Sequence, residues 1–217
     1  MSSLSIGIIG LPNVGKSTLF NALLKRQTAL VANYPFATIE PNIGIVDVPD
    51  YRLDELCKIV VNDYGRGFKD REIPEKVIPA VVKFYDIAGL VKGASKGEGL
   101  GNAFLGHIRE VNAIAHVIRV CEDENVARAG SENPENDKEI INTELMLADI
   151  QSLEKTIEKL EKEVRSSKDK EIKLKYETAK KILEGLNNGV FASALELSEE
   201  ELKFSKDLNL LTLKPQI

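Results

Sequence analysis

The first 120 residues alternate between short apolar runs and longer polar stretches. Runs of six to eight residues that are rich in Val and Ile are typical of strands buried on both faces of a sheet; they are Leu4–Ile9, Ile43–Val48, Ala80–Tyr85 and Ala113–Val120. Helical patterns separate them at Ser17–Lys25, Leu53–Val60 and Asn102–Glu110. The alternation predicts an α/β fold, in which a mostly parallel sheet carries helices on both faces. An antiparallel pairing of Ile43–Val48 stays open, because the connection to Ala80 is long and irregular.

After residue 142 the apolar positions follow a different period. Steps of four and three residues, which are typical of the seam between two packed helices, run through Met146, Ile150, Leu153, Ile157, Leu160 and Val164. Beyond a polar break at Ser166–Asp169 the same steps continue through Ile172, Tyr176, Ala179, Leu183 and Leu186. This pattern predicts an antiparallel helical hairpin. Ser198 and Glu201 have the spacing of a capping box and predict a further short helix.

Composition narrows the class of protein. The 217 residues include 29 Lys+Arg and 34 Asp+Glu, and the net charge of −5 argues against a protein that binds nucleic acid over its whole surface, although a local basic patch stays open. Cys57 and Cys121 are too few for a disulfide framework or a zinc site. No apolar run approaches the roughly 18 residues that span a bilayer, and the N-terminus lacks the layout of a signal peptide. We therefore expect a cytoplasmic globular protein without membrane partners.

The strongest chemical signal is the segment Gly10–Ser17, which reads Gly-Leu-Pro-Asn-Val-Gly-Lys-Ser. It matches the phosphate-loop pattern G-x-x-x-x-G-K-[ST] and lies between a predicted strand and a predicted helix, as that motif does. Its glycines let successive backbone N–H groups point at phosphate oxygens, and the helix N-terminus adds its positive end. Lys16 supplies a mobile charge for the β- and γ-phosphates, and the Ser17 hydroxyl can ligate magnesium.

A second signal follows the predicted strand Ala80–Tyr85. Asp86 would lie at the carboxyl end of that strand, where nucleotides bind in open α/β sheets, and would hold magnesium through its water shell. The Gly89 N–H would meet the γ-phosphate. An isolated Asp-x-x-Gly is more often a turn, but about seventy residues after a phosphate loop it indicates a nucleotide site.

Two loops complete the predicted site. Asn33–Asn42 contains two prolines and the hydroxyl of Thr38, which is able to reach magnesium and the γ-phosphate. Without the other motifs, Thr38 would be assigned a local backbone hydrogen bond. Lys92–Asn102 is rich in glycine, so we expect its order to depend on nucleotide. Hydrolysis would release Thr38 and Gly89 from the γ-phosphate, and both loops would relax as in a nucleotide-dependent switch.

Taken together, these segments resemble the YchF/Obg-like ATPase family of translation-factor-class P-loop proteins. The resemblance covers essentially the whole chain and rests on Gly10–Thr18, Asn33–Asn42, Asp86–Val91, Gly93–Asn102 and Asn142–Leu145 with the hairpin after it. It implies a Ras-like nucleotide-binding domain with a coiled-coil insert and a dependence on Mg²⁺. It also implies binding of ATP as well as or better than GTP, and association with the ribosome, where we expect the large subunit to be the partner.

The resemblance assigns roles to particular residues. Phosphate binding falls to Asn13, Val14, Gly15, Lys16, Ser17 and Thr18, and the magnesium ligands are Ser17, Thr38 and Asp86. The residues assigned to catalysis are Lys16, Thr38, Gly89 and His116.

Two positions bear on turnover. Leu90 stands where many GTPases have a glutamine that orients water, and an aliphatic side chain cannot do so, which predicts slow hydrolysis unless another group substitutes. His116 matches a family histidine that is the substitute the resemblance implies. A lone histidine in an apolar strand is more often a core residue, however, and both roles stay open. His107, on the predicted helix after the glycine loop, is less favoured.

The base-recognition motif is missing from this part of the sequence. Guanine-specific members of the class read the base with Asn-Lys-x-Asp, which does not occur here. The chain ends with the segment Leu208–Ile217, where a strand leading to such a motif would begin. The family's TGS domain is also absent. We therefore expect a fragment made of a nucleotide-binding segment 1–142, a hairpin insert 143–187 and a return to the nucleotide domain in 188–217. The choice between ATP and GTP, and any contact with RNA, would involve parts outside it.

Other functions remain open. The chain could be a GTP-binding switch rather than an ATPase. Alternatively, the hairpin could be a docking arm for the ribosome, RNA or protein, with nucleotide as a structural ligand only. The near balance of charge on the hairpin instead favours an ordinary solvated face. A P-loop kinase fits the phosphate loop but not the two predicted switch loops, Asn33–Asn42 and Lys92–Asn102.

Overall fold

A computed structural model of the chain describes residues 4–25, 41–64, 77–89, 101–121, 133–167 and 169–217. The predicted switch residue Thr38, the position Leu90 and the glycine loop before Gly101 lie outside the described residues. Within the described residues, no helix is both long enough and apolar enough to cross a membrane.

The described strands form one sheet. They are β1 (Leu4–Ile9), β2 (Asn42–Asp47), β3 (Val81–Asp86) and β4 (Ala113–His116), and their order across the sheet is β2-β3-β1-β4. β1 runs parallel to both β3 and β4. The predicted mostly parallel sheet is confirmed, and the open question about the second strand is answered, because β2 pairs with β3 in the antiparallel direction.

One predicted strand was too long. The apolar run Ala113–Val120 forms a strand only as far as His116. Its neighbour β1 can pair with it only up to Ile9, because at Gly10 the chain turns away into the phosphate loop. The Val117 N–H donates the last hydrogen bond of this series, to the Ile9 carbonyl at 2.8 Å. The rest of the apolar run, Val117–Val120, is therefore not part of the strand.

Helices cover both faces of the sheet, as predicted. They are α1 (Lys16–Leu24), α2 (Tyr51–Tyr64), α3 (Gly101–Glu110), α4 (Pro134–Ser166), α5 (Lys170–Asn187) and α6 (Glu199–Asp207). Successive residues of a strand point to opposite faces. Ile8 of β1 is fully buried against Phe20 of α1, whereas Ile9 is buried in a cluster with residues of α3 and α4 such as Ile108 and Leu145. The neighbouring side chains of β1 thus anchor the two layers of helix.

The predicted hairpin is formed by α4 and α5. Its apolar core contains every seam position expected from the sequence except Val164, together with Ile182 of α5. Asn133 caps α4 and Asp169 caps α5, each by accepting a hydrogen bond from the N–H two residues later. The capping box of Ser198 and Glu201 is present at the start of α6.

Helix α4 belongs to two cores at once. Its first part, including Ile141 and Leu145, packs under the sheet, and its later part, including Leu153 and Leu160, packs against α5. The helix is continuous from Pro134 to Ser166. The boundary proposed between residues 142 and 143 therefore lies inside an unbroken helix, and the three-segment division stays a prediction.

The last residues return to the sheet. The backbone N–H of Ile114 donates to Pro215 at 2.9 Å, that of His116 donates to Ile217 at 2.8 Å, and Gln216 forms a parallel bridge with Ile114. This segment lies on the side of β4 opposite β1. The sequence interpretation placed the beginning of a further strand in Leu208–Ile217, and the pairing of Pro215–Ile217 with β4 agrees with it.

Candidate functional site

The phosphate loop leaves the carboxyl end of β1. Gly10 has φ +152°, and a Cβ at this position would clash with the carbonyl oxygen of Val117, so the turn requires a glycine. Gly15 has φ +99° and is the residue before the first turn of α1. Asn13 also has positive φ, 61°, a conformation that asparagine tolerates better than most residues. The backbone conformation is therefore that of a tight loop leading into a helix.

The N-terminus of α1 is open to an anion. No side chain caps it, and its first turn contains no acidic residue. By contrast, α4, α5 and α6 each have a side-chain cap and acidic residues in the first turn. Uncapped N–H groups and the positive end of the helix dipole favour a negatively charged ligand. Helix α1 thus lacks the neutralisation that these three other helices have.

Lys16 is held inside the loop. Its side chain is buried, and its ammonium group donates a 2.7 Å hydrogen bond to the Leu11 carbonyl. Burial lowers the pKa of Lys16 to about 8, and the nearby Asp86 carboxylate opposes that change. An ammonium group desolvated in this way would gain more from an added phosphate than an exposed lysine would.

Ser17 and Asp86 meet although 69 residues separate them. The Ser17 hydroxyl donates a 2.7 Å hydrogen bond to Oδ2 of Asp86. Asp86 is the last residue of β3 and is 1% exposed. Burial raises the pKa of its carboxyl group, while the hydrogen bond from Ser17, the charge of Lys16 and a hydrogen bond from the Asn42 side chain all lower it. The structure thus brings together three of the predicted site residues.

Asn42 was not predicted as a site residue. It is the first residue of β2 and lies directly opposite Asp86 in the antiparallel pair. The sequence shows Asn42 only as the end of a loop, because the register between β2 and β3 depends on tertiary pairing. If the two strands had been paired in the antiparallel direction, with the start of β2 opposite the end of β3, the sequence would have placed Asn42 beside Asp86.

Gly89 lies against the phosphate loop. A Cβ at this position would be 2.8 Å from the backbone nitrogen of Pro12 and 2.9 Å from its Cα. The segment that follows β3 therefore approaches the loop as closely as only a glycine allows. This places Asp86–Gly89 beside the residues expected to bind phosphate.

His116 faces away from this cluster. In the sheet, Asp86 is aligned with Ile8, whereas His116 is aligned with Ile9, so the two side chains start on opposite faces. His116 is half-buried; burial, and secondarily the charge of Lys138 on α4, lower its pKa to about 4. The imidazole is therefore neutral near pH 7 and lies on the α4 side of the sheet. Its catalytic role stays a prediction that rests on the resemblance.

The oxygen groups of this cluster suit magnesium. Mg²⁺ prefers hard oxygen ligands and is usually bound by one or two carboxylates, waters and substrate phosphates rather than by a cage of protein groups. The Ser17 hydroxyl and the Asp86 carboxylate, held 2.7 Å apart beside the open end of α1, match that requirement. In the part of the chain that the structure describes, no cluster of three His, Cys, Asp or Glu residues offers an alternative metal site.

Comparison with known proteins gives consistent matches. The sequence model of the family described as "50S ribosome-binding GTPase" matches residues 5–187. The protein named Ribosome-binding ATPase YchF from Pasteurella multocida is 50% identical over 210 residues, which is 96% of this chain and 54% of that protein. The protein of the same name from Bacillus subtilis is 48% identical over 214 residues, which is 98% of this chain and 55% of that protein. The chain spans about half the length of these curated relatives.

A solved structure is also similar. The structure of the Schizosaccharomyces pombe YchF GTPase matches with a TM-score of 0.74 and 38% sequence identity, covering 100% of this chain and 56% of that one.

Proposed function

Because the chain belongs to the family of 50S ribosome-binding GTPases, we propose that it is the nucleotide-binding part of a magnesium-dependent triphosphatase. This enzyme hydrolyses the β-γ phosphoanhydride bond, prefers ATP to GTP and acts as a nucleotide-dependent switch on the ribosome. The observation that carries the proposal is the hydrogen bond between the half-buried Ser17 and the buried Asp86, beside Lys16 at the open N-terminus of α1. The resemblance to the YchF/Obg-like ATPase family is confirmed by the YchF relatives.

Each residue has a distinct task in this proposal. The backbone N–H groups of Asn13–Thr18 and the ammonium of Lys16 bind the phosphates. Ser17, Thr38 and Asp86 would hold Mg²⁺, which neutralises charge on the β- and γ-phosphates. The Gly89 N–H, placed beside the phosphate loop, would sense the γ-phosphate.

We further propose a route by which the site could act on the hairpin. Helix α3 follows the Asp86–Gly89 segment along the chain, and Arg109 at its end lies 3.6 Å from Asp149 of α4. Since α4 continues into the hairpin, a displacement of α3 would be transmitted to that arm. This geometry supports a switch in which loss of the γ-phosphate changes the position of the hairpin relative to a bound partner.

The nucleotide preference needs a direct test, because the relatives are named differently. The curated YchF proteins are named ATPases, whereas the solved fission-yeast protein is titled a GTPase. We expect this chain to bind ATP and GTP in the presence of Mg²⁺, as measured by calorimetric titration. The Lys16→Ala variant should bind neither nucleotide. A second form extended to the length of the relatives would bind ATP more tightly than GTP. A clear preference for GTP in the long form would replace the ATPase by a GTPase.

Hydrolysis separates this proposal from others. We expect the γ-phosphoryl group to be transferred to water, which releases inorganic phosphate. Transfer of that group to another acceptor would favour a kinase. We expect Thr38→Ala to weaken Mg²⁺-dependent triphosphate binding and turnover more than diphosphate binding. His116→Ala is expected to slow hydrolysis with little change in affinity; equal losses of binding and folding stability would make His116 a core residue instead.

The proposed partner is the ribosome, through its large subunit, in the cytoplasm. The family description and the names of the curated relatives support this partner. Co-sedimentation with ribosomes should differ between ATP-bound, ADP-bound and nucleotide-free protein. If Lys16→Ala binds ribosomes with unchanged affinity in every nucleotide state, the hairpin is a docking arm and the switch proposal fails. Any contact with RNA is proposed to involve segments other than those described for this chain.

A further inference from the structure

Asn42 holds the Asp86 carboxylate from the side opposite Ser17. The two residues face each other in the antiparallel pair of β2 and β3. Side chains directly opposite in such a pair have Cβ atoms about 4.5–5.5 Å apart and lie on the same face of the sheet. The Asn42 side chain thus lies close enough to the Asp86 carboxylate to act on it as a hydrogen-bonding group, which lowers the carboxyl pKa. Because an ionised carboxylate only accepts, the amide of Asn42 is the donor.

Two donors fix an aspartate more firmly than one. The torsion about the last bond of an aspartate side chain is broad, so a single hydrogen bond leaves the carboxylate free to rotate. Ser17 binds Oδ2 from helix α1, and Asn42 approaches from strand β2. Asp86 is 1% exposed, so little water is available to replace a lost donor. Contacts from two separate elements therefore determine where its oxygens point.

We propose that Asn42 is a positioning residue for the magnesium site: it orients the Asp86 carboxylate that would hold the ion together with Ser17. This inference rests on the proposed nucleotide function and adds a residue to it. Asn42 follows the predicted switch residue Thr38 by four positions. The contact therefore also fixes the end of the predicted loop Asn33–Asn42 to the end of β3.

The test compares triphosphate binding with and without magnesium. The full chain is titrated with a fluorescent ATP analogue in EDTA and at increasing Mg²⁺ concentrations, and thermal unfolding is measured in parallel. Asn42→Ala removes the amide, and Asn42→Leu removes its N–H groups while keeping nearly the same shape. Asn112→Ala is the matched control. Asn112 accepts hydrogen bonds from the backbone and hydroxyl of Ser5 at the other end of the strands, so its loss lowers stability without touching the site.

We expect both Asn42 variants to need about 10- to 100-fold more Mg²⁺ for half-maximal tightening of binding, with unchanged affinity in EDTA. Asn112→Ala should unfold at a lower temperature and keep the wild-type response to Mg²⁺. The inference is supported only if the Asn42 variants change the response to Mg²⁺ while Asn112→Ala changes stability alone.

Three outcomes would overturn the inference. A wild-type Mg²⁺ response in both Asn42 variants, or in Asn42→Leu alone, would show that the amide donor is not needed. Equal loss of affinity with and without Mg²⁺ would reduce Asn42 to a structural residue of the β2–β3 pair. If the wild-type chain itself shows no Mg²⁺ response, the magnesium dependence of the proposed function fails, and the inference fails with it. The wild-type titration thus distinguishes the two failures.

Discussion

The carboxylate of Asp149 accepts two hydrogen bonds from Thr212, one from its backbone N–H and one from its hydroxyl, each 2.8 Å long, although 63 residues separate the two. The N–H of Leu211 donates to the other carboxylate oxygen at 3.0 Å, and Arg109 lies 3.6 Å from it. Asp149 is fully buried. This single side chain therefore joins the middle of α4 to α3 and to the segment that runs back along β4.

Asp149→Ala should lower the free energy of unfolding by about 3 kcal/mol. The substitution leaves two buried N–H groups without an acceptor and removes the carboxylate that lies beside Arg109. Urea unfolding monitored by circular dichroism measures the loss. Thr212→Val removes only the hydroxyl bond and should cost about 1 kcal/mol. A cost for Asp149→Ala no larger than that of Thr212→Val would mean that the backbone bonds contribute little.

Lys16→Ala should remove triphosphate binding without weakening the fold. The pKa of Lys16, lowered to about 8 by burial, shows that the folded chain disfavours the charged form, so its removal should leave the free energy of unfolding unchanged or slightly higher. Calorimetric titration with ATP and urea unfolding provide the two measurements. Lys155→Ala, at an exposed position of α4, is the control and should change neither. A large loss of stability in Lys16→Ala would assign the lysine a structural role through its bond to Leu11.

Gly89→Ala should weaken triphosphate binding and cost about 1–3 kcal/mol of stability. The added Cβ would meet the backbone of Pro12, which cannot move without displacing the phosphate loop. The matched control is Gly106→Ala in α3, where a Cβ meets nothing within 4 Å. Alanine is the better helix former, so this control should be stabilised by about 0.5–1 kcal/mol and should bind nucleotide normally. Normal binding by Gly89→Ala would show that the loop tolerates the displacement.

Stability should fall between pH 6.5 and 4 because of His116. Its pKa is about 4 in the folded chain, below its ordinary 6.5, so the unfolded chain binds more protons in this interval. The contribution of neutral His116 to the free energy of unfolding is complete above pH 6.5 and is lost as the pH falls to 4. Its size is about 2 kcal/mol once the partial exposure of the ring is allowed for.

The check is urea unfolding across this pH range. His116→Leu should flatten the pH dependence relative to wild type, because its side chain does not titrate. Lys138→Met should make the pH dependence of stability weaker than in wild type without abolishing it, because the charge of Lys138 is the smaller cause of the lowered His116 pKa. An unchanged slope in His116→Leu would assign the acid sensitivity to other groups.

Local sequence was enough to predict most of the elements. The first strand, Leu4–Ile9, matches its predicted bounds, and nearly all seam positions of the hairpin lie in its core, because apolar period and capping residues are local properties. The strand Ala113–Val120 was overestimated. The strand ends where its neighbour β1 turns away at Gly10. The residues of Ala113–Val120 contain no information about that turn, so the run alone could not predict the end.

The sequence alone determined the chemistry of the site. A phosphate loop needs glycine, lysine and a hydroxyl at fixed spacing, and these requirements are visible without any structure. Only the tertiary structure decided how distant residues meet: Ser17 with Asp86, Asn42 opposite Asp86, and His116 on the other face of the sheet. The physical reason is strand register. A shift of one residue moves a side chain to the opposite face, and register is determined by packing between segments far apart in the chain.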